Sequence, residues 1–226
     1  ELRAQHRAWR ELALDVDSPE QLAQSLLEVT RTEWVSRKQA ERLGFWDEQH
    51  ADDNPPLDVE GRVEVPAWRH AVINYPHPLL KRGLVILDTP GLNAIGAEPE
   101  LTLSLLPTAH AVVFVLGADT GVTKSDLAIW RDHLGAHAPT RFVVLNKIDA
   151  LEDPLATLAE VEAQISQQQR ETARTLGVPL QRVFPLSARQ ALAARVNGDD
   201  MGLNESRLPL LEAALGAQLL PQRRQV

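Results

Sequence analysis

Phe142-Val143-Val144-Leu145-Asn146-Lys147-Ile148-Asp149 is the stretch on which the fold turns. Its first four residues are apolar without alternation, the pattern of a strand buried on both faces in a parallel sheet. Gly83-Leu84-Val85-Ile86-Leu87-Asp88 and Ala111-Val112-Val113-Phe114-Val115-Leu116 repeat that pattern upstream, and Val183-Phe184-Pro185-Leu186 repeats it in shorter form downstream. Helix patterns lie between them. One covers Ser125 to Leu134 and is closed by Gly135. Another starts at Asp153-Pro154, carries the stripe Leu155, Leu158, Val161 and Ile165, and ends at Gly177. A third follows Asn204 with Leu208, Leu211 and Leu215. Strands alternating with helices predict an α/β, doubly wound, mostly parallel sheet with helices on both faces.

The N-terminal part reads differently. Ser18-Pro19-Glu20-Gln21 is a helix start, with Ser18 as cap, Pro19 at the first helical position and Gln21 completing a capping box. Leu22, Leu26 and Val29 continue at helical spacing, and the pattern runs to about Gly44. Trp46 to Pro56 is an acidic loop, and Trp68 to Tyr75 reads as a strand broken by Pro76-His77-Pro78. The expected division is a helical segment over 1–60, an α/β domain over 61–220 and the start of a linker over 221–226.

Composition excludes several classes. The 226 residues contain no Cys, which removes disulfides, thiolate metal sites and cysteine nucleophiles. The net charge is −8, so a general coat for nucleic acid is not expected. No stretch reaches the ~18 apolar residues of a membrane-spanning helix. No apolar run follows Arg3, Arg7 and Arg10, so no signal peptide is read. His133 and His137 stand four apart, but at a helix end, where a dipole contact is the commoner role.

In a doubly wound sheet, ligands bind at the carboxyl ends of the strands. Asp88-Thr89-Pro90-Gly91 follows the first run. An aspartate there can hold a Mg²⁺-bound water, and Gly91 lets a backbone N–H approach a terminal phosphate. Ordinary turn chemistry explains the same four residues equally well. Asn146-Lys147-Ile148-Asp149 is more specific. The Asp149 carboxylate can accept from the N1–H and exocyclic amine of guanine, a donor pair that adenine lacks. The Lys147 stem can lie on the purine, and the Asn146 amide can bridge base and loops. Ser187-Ala188-Arg189 follows the fourth run. There a backbone N–H can meet guanine O6, or Ser187 can simply cap a helix.

These three elements, in this order, resemble the third, fourth and fifth signatures of the P-loop GTPases. Pro78-Leu79-Leu80 ahead of the Asp88 run, and Thr120-Gly121-Val122-Thr123-Lys124-Ser125-Asp126, make the chain similar to bacterial dynamin-family GTPases over about Trp68 to Ala188. The resemblance implies GTP or GDP with Mg²⁺ as ligands. It assigns phosphate and switch roles to Asp88, Thr89, Pro90 and Gly91, with Asp88 reaching the metal through water. It assigns guanine binding to Asn146, Lys147, Asp149, Ser187 and Ala188. It further implies a homodimer across the nucleotide face, a cytoplasmic or peripheral inner-membrane location, and membrane lipid reached through regions outside this chain.

One signature is missing. No G-x-x-x-x-G-K-[ST] occurs: Lys38, Lys81, Lys124 and Lys147 follow Arg37, Leu80, Thr123 and Asn146, and no glycine precedes Gly44. Thr30 and Thr32 fall inside the expected helix and make poor first-switch residues. Leu92 takes the place where Ras-like enzymes carry the water-orienting Gln. The catalytic machinery therefore has no assignable residue here. The favoured expectation is a piece of a longer dynamin-like GTPase whose P-loop strand lies upstream of Glu1. The alternatives are a soluble Era-like switch GTPase in ribosome assembly and a catalytically dead interaction module.

Overall fold

The structure, a computed structural model, describes residues 10–13, 18–48, 54–68, 70–88, 106–134, 140–153 and 155–220. Its described residues divide into two units, one up to Pro76 and one from His77 onwards.

The first unit is built on α1 (Pro19–Val29), β1 (Thr32–Ser36), α2 (Arg37–Leu43) and β2 (Arg62–Pro66). Ser18 caps α1 and Pro19 opens it, as the sequence predicts. The helix does not run on to Gly44. It stops at Val29, because Thr32, Trp34 and Val35 are strand formers. Ser36 then restarts a helix by accepting from the Gln39 N–H. β1 pairs antiparallel with β2, Val35 opposite Val63. Val35, Val63 and Val65 bury the inward face against Ala40. The pairing thus ties Arg62–Pro66 to the first unit. The division falls after Pro76 rather than at residue 60, and the first unit is mixed rather than helical. The expected strand over 68–75 is not formed: its described residues belong to no ladder, and Val72, Ile73 and Tyr75 are exposed.

The second unit is organised around β4 (Arg141–Asn146). It lies between β3 (Val112–Gly117) and β5 (Val183–Pro185), both parallel to it. Its side chains alternate between two cores. Val143 and Leu145 face one with Trp130, Leu134, Ile165, Ala173 and Leu176. Phe142 and Val144 face the other with Leu186, Leu211 and Leu215. Phe142, Val143 and Leu145 are completely buried; each such side chain contributes about 1.5–3 kcal/mol. Helices therefore cover both faces, and the doubly wound expectation holds.

The first core is closed by α4 (Lys124–Ile129), its π-helical continuation Trp130–Leu134, and α5 (Leu158–Leu176). The Trp130 indole N–H donates to the Leu176 carbonyl across 3.0 Å. The start of α5 differs from the sequence expectation. Thr157, with Glu160, forms the capping box, so Leu155 and Leu158 stay exposed and only Val161 and Ile165 turn inward. Gly177 ends α5 at φ 65°, a left-handed conformation that favours glycine. α6 (Ala188–Asn197) follows Ser187, and α7 (Asp200–Glu205) leads to α8 (Leu208–Leu219), which packs Leu211 and Leu215 on the second face.

A second expected strand is also absent. After α3 (Pro78–Lys81), Gly83 to Asp88 forms no ladder, and Val85, Ile86 and Leu87 are 79%, 68% and 64% exposed. An extended run buries its side chains only between neighbours. Among the described residues no strand lies beside this one, nor on the outer edge of β3, where Val113 and Val115 are exposed.

Candidate functional site

The carboxyl ends of β3, β4 and β5 carry the site. Register sets Gly117 opposite Asn146, so both strands release their chains at the same level. The Ala118 N–H then donates to the Asn146 carbonyl at 2.7 Å. Leu186 closes the other side: its N–H donates to the Leu145 carbonyl, and its carbonyl accepts from Ile148.

Lys147 turns the chain with φ 66°, a left-handed conformation costly for a side chain of this size. The turn is held by the Asn146 side chain. Its Oδ1 accepts from the Lys147 N–H at 2.8 Å and from the Ala188 N–H at 3.0 Å. One amide therefore ties the loop after β4 to the first turn of α6. The expectation for Asn146 is a bridge between base and loops; this contact joins the loops. It also engages the Ala188 N–H, in the segment where the sequence reading expects some backbone N–H to meet guanine O6.

Asp149 sits behind this turn, and its side chain is one-tenth exposed. Oδ1 accepts from the Ser187 hydroxyl at 2.6 Å. Oδ2 accepts from Arg189 Nε at 2.9 Å, with Arg189 Nη2 2.8 Å away. The Ser187 hydrogen bond, then Arg189, hold the carboxyl below its usual value. Ser187 itself is completely buried, and its Oγ also accepts from the Gln190 N–H. Ser187 thus caps α6, one of the two readings of the sequence, and also orients the Asp149 carboxylate.

The structure thus brings Asn146, Lys147, Asp149, Ser187 and Ala188 together. It does not join Asp88 to them: that carboxylate ends the exposed run described above. Thr89, Pro90 and Gly91 lie outside the described residues. Among the described residues no three His, Cys, Asp or Glu side chains group as a metal site.

Two neighbours escape the sequence reading. Asp119 Oδ2 stands 3.9 Å from Lys147 Nζ. Its place just past the second apolar run, at a strand end, is the signal that marks it. Gly117 makes room for it, since a Cβ there would meet Asp119 Oδ1 at 2.4 Å. Arg189 is the other, and only the fold shows it reaching back to Asp149.

A parallel sheet covered on both faces, with N-K-x-D and S-A at adjoining strand ends, defines the P-loop GTPase class. The sequence profile of the Dynamin family matches residues 6–148, and the chain belongs to that family. A bacterial dynamin-like protein of Nostoc punctiforme is 27% identical over 179 residues, 74% of this chain and 26% of that protein. A probable transmembrane GTPase, FZO-like and chloroplastic, of Arabidopsis thaliana is 36% identical over 124 residues, 54% of this chain and 13% of the relative. The chain therefore spans only a minor part of these relatives. Among solved structures, Aquifex aeolicus Era bound to GDP.AlF4- covers 44% of this chain and 31% of its own, at 21% identity and TM-score 0.31.

Proposed function

We propose that this chain supplies the base-reading half of a dynamin-family GTPase that hydrolyses GTP to GDP and phosphate. The observation that carries the reading is the convergence of Asp149, Asn146 and Ser187 at the carboxyl ends of β4 and β5. A carboxylate already ionised and fixed by Ser187 is prepared to accept the N1–H and amine of guanine. The Lys147 stem, displayed by its left-handed turn, offers an apolar surface for the ring. Asp88 is the candidate for a water-mediated hold on Mg²⁺, and Gly91 for meeting the terminal phosphate.

Residues 1–226 by themselves contain no G-x-x-x-x-G-K-[ST], so they bind GTP weakly and do not hydrolyse it. In the full-length protein, hydrolysis drives a conformational switch, with dimerisation across the nucleotide face and work on a membrane. The membrane contact belongs to other regions. No helix among the described residues is long and apolar enough to cross a bilayer, and a net charge of −8 disfavours anionic lipid and nucleic acid alike.

Competition binding tests the base-reading role. Asp149→Asn in the full-length protein is expected to exchange preference from GTP to xanthosine triphosphate, by at least about ten-fold. Unchanged GTP selectivity removes Asp149 from the role.

A further inference from the structure

Gly117 ends β3, and a Cβ on it would stand 2.4 Å from Asp119 Oδ1. The Asp119 carboxylate therefore lies back over the strand end, in space that any side chain at position 117 would take. Backbone hydrogen bonds hold the chain in this course. The Gly121 N–H donates to the Gly117 carbonyl at 2.9 Å, closing the turn that carries Asp119. The Ala118 N–H donates to the Asn146 carbonyl, the peptide oxygen that leads into Lys147. With Oδ1 over Gly117, Oδ2 stands 3.9 Å from Lys147 Nζ.

Lys147 leaves the chain after β4, and its ammonium ends beside β3. Its stem therefore crosses the carboxyl ends of both strands towards β3, while Asp149 is held from the other side by Ser187, after β5. Among the described residues, Asp119 is the one acidic side chain within ion-pair distance of that ammonium.

We infer that Asp119 is a positioning residue for nucleotide binding: its carboxylate, seated over Gly117, holds the Lys147 ammonium at the end of β3 and so lays out the Lys147 stem as the surface on which a purine stacks. The inference rests on the purine-stacking reading of Lys147. With its ammonium held, the stem keeps its place against the ring. Without that hold it is a flexible chain that must be ordered at the cost of rotamer freedom. At 3.9 Å the contact is an ion pair and not a hydrogen bond, so it restrains the end of the stem without locking one rotamer. Both side chains reach solvent, which sets the effect at the scale of an exposed pair, about two- to five-fold in affinity.

The test is GDP binding to the full-length protein, measured by calorimetry. Asp119→Ala is expected to weaken GDP binding about two- to five-fold, and the gap should narrow in high salt. Gly117→Ala is expected to act in the same direction with Asp119 intact. The atom its methyl meets is the tip of a side chain, so the carboxylate gives way rather than the backbone. A double-mutant cycle with Lys147→Met decides the route, because methionine keeps an apolar stem and drops the charge. In that background Asp119→Ala should cost nothing further. A loss of equal size there overturns the inference, since Asp119 would be acting on something other than the ammonium. Wild-type affinity in Asp119→Ala or in Gly117→Ala overturns it too. Lys147→Ala runs alongside as the check on the underlying reading. Weakening there with none in Asp119→Ala removes the positioning role and leaves the stacking role standing. No weakening in Lys147→Ala, or no detectable GDP binding in the wild type, removes the stacking role and the inference with it.

Discussion

Phe142–Leu145 and Leu84–Leu87 are the same kind of sequence. Each is four apolar residues that run into a polar loop, Asn146-Lys147-Ile148-Asp149 in one and an Asp88-led turn in the other. In the structure they share almost nothing. The first is the middle strand of a three-stranded parallel sheet, with Phe142, Val143 and Leu145 completely buried. The second is extended chain outside any ladder, with three of its side chains about two-thirds or more exposed. The consequence reaches the chemistry. Where the strand is clamped, register fixes Asn146 opposite Gly117 and the loop closes into a hydrogen-bonded site. Where it is not, Asp88 is a carboxylate at the end of an exposed run. A strand-end motif becomes a site only when its strand has neighbours.

The largest expected effect lies in the cores. Phe142→Ala removes a fully buried ring that meets Phe184 at a centroid distance of 6.0 Å, and should cost about 3–5 kcal/mol. Ile86→Ala, on the matching run, should cost about 0.5 kcal/mol or less. Urea unfolding followed at β4 amides measures both. A cost at Ile86 near that at Phe142 would break the comparison, because it would mean the exposed run is packed after all.

How much of this was legible beforehand follows from the same physics. The runs at 112–116, 142–145 and 183–185 were readable because unbroken apolarity is what burial on two faces requires. The candidate guanine-reading residues were readable because N-K-x-D at a strand end has few other uses. Leu84–Leu87 carried an identical signal, yet periodicity reports what a segment can bury and is silent on whether a neighbour exists. The break between α1 and β1 was hidden because Thr30, Thr32 and Trp34 fit a helical count as well as a strand. The long pairing of β1 with β2, across residues 37–61, decided the matter. Arg189 was in view as the third residue of Ser187-Ala188-Arg189, but its contact with Asp149 was not legible from local pattern, because that partner is 40 residues away.

An intermediate effect tests whether the site is an assembled unit. Asn146→Ala deletes the acceptor shared by the Lys147 and Ala188 N–H groups. Both donors are exposed, so water can replace part of what is lost, and the cost should be about 0.5–1.5 kcal/mol. It should also release Lys147 from its left-handed turn, read as faster hydrogen exchange at its amide. Asp88→Ala, its counterpart on the other run, should change stability by less than about 0.5 kcal/mol. A silent Asn146→Ala would mean that β4 and β5 alone hold the two loops together.

The smallest effect is in acid, and its sign is fixed by Asp149. The Ser187 hydroxyl, and secondarily Arg189, hold its folded-state carboxyl below the ordinary value of 3.8. A depressed carboxyl contributes stability that is fully present above the unfolded value and is lost as pH falls through the folded one. Asp58, lowered by the Arg62 N–H, and Glu160, lowered by the Thr157 N–H, act in the same direction. The total acid loss therefore cannot be assigned to one group, but the difference between wild type and Asp149→Asn can. That difference should be about 1 kcal/mol or less near neutral pH, since the Arg189 side of the contact is solvated. It should begin to shrink near pH 3.8 and vanish below the folded value. A difference that stays constant through acid would mean that Asp149 is held by shape rather than by charge. Its ionised oxygens would then be no better prepared for a guanine edge than an amide.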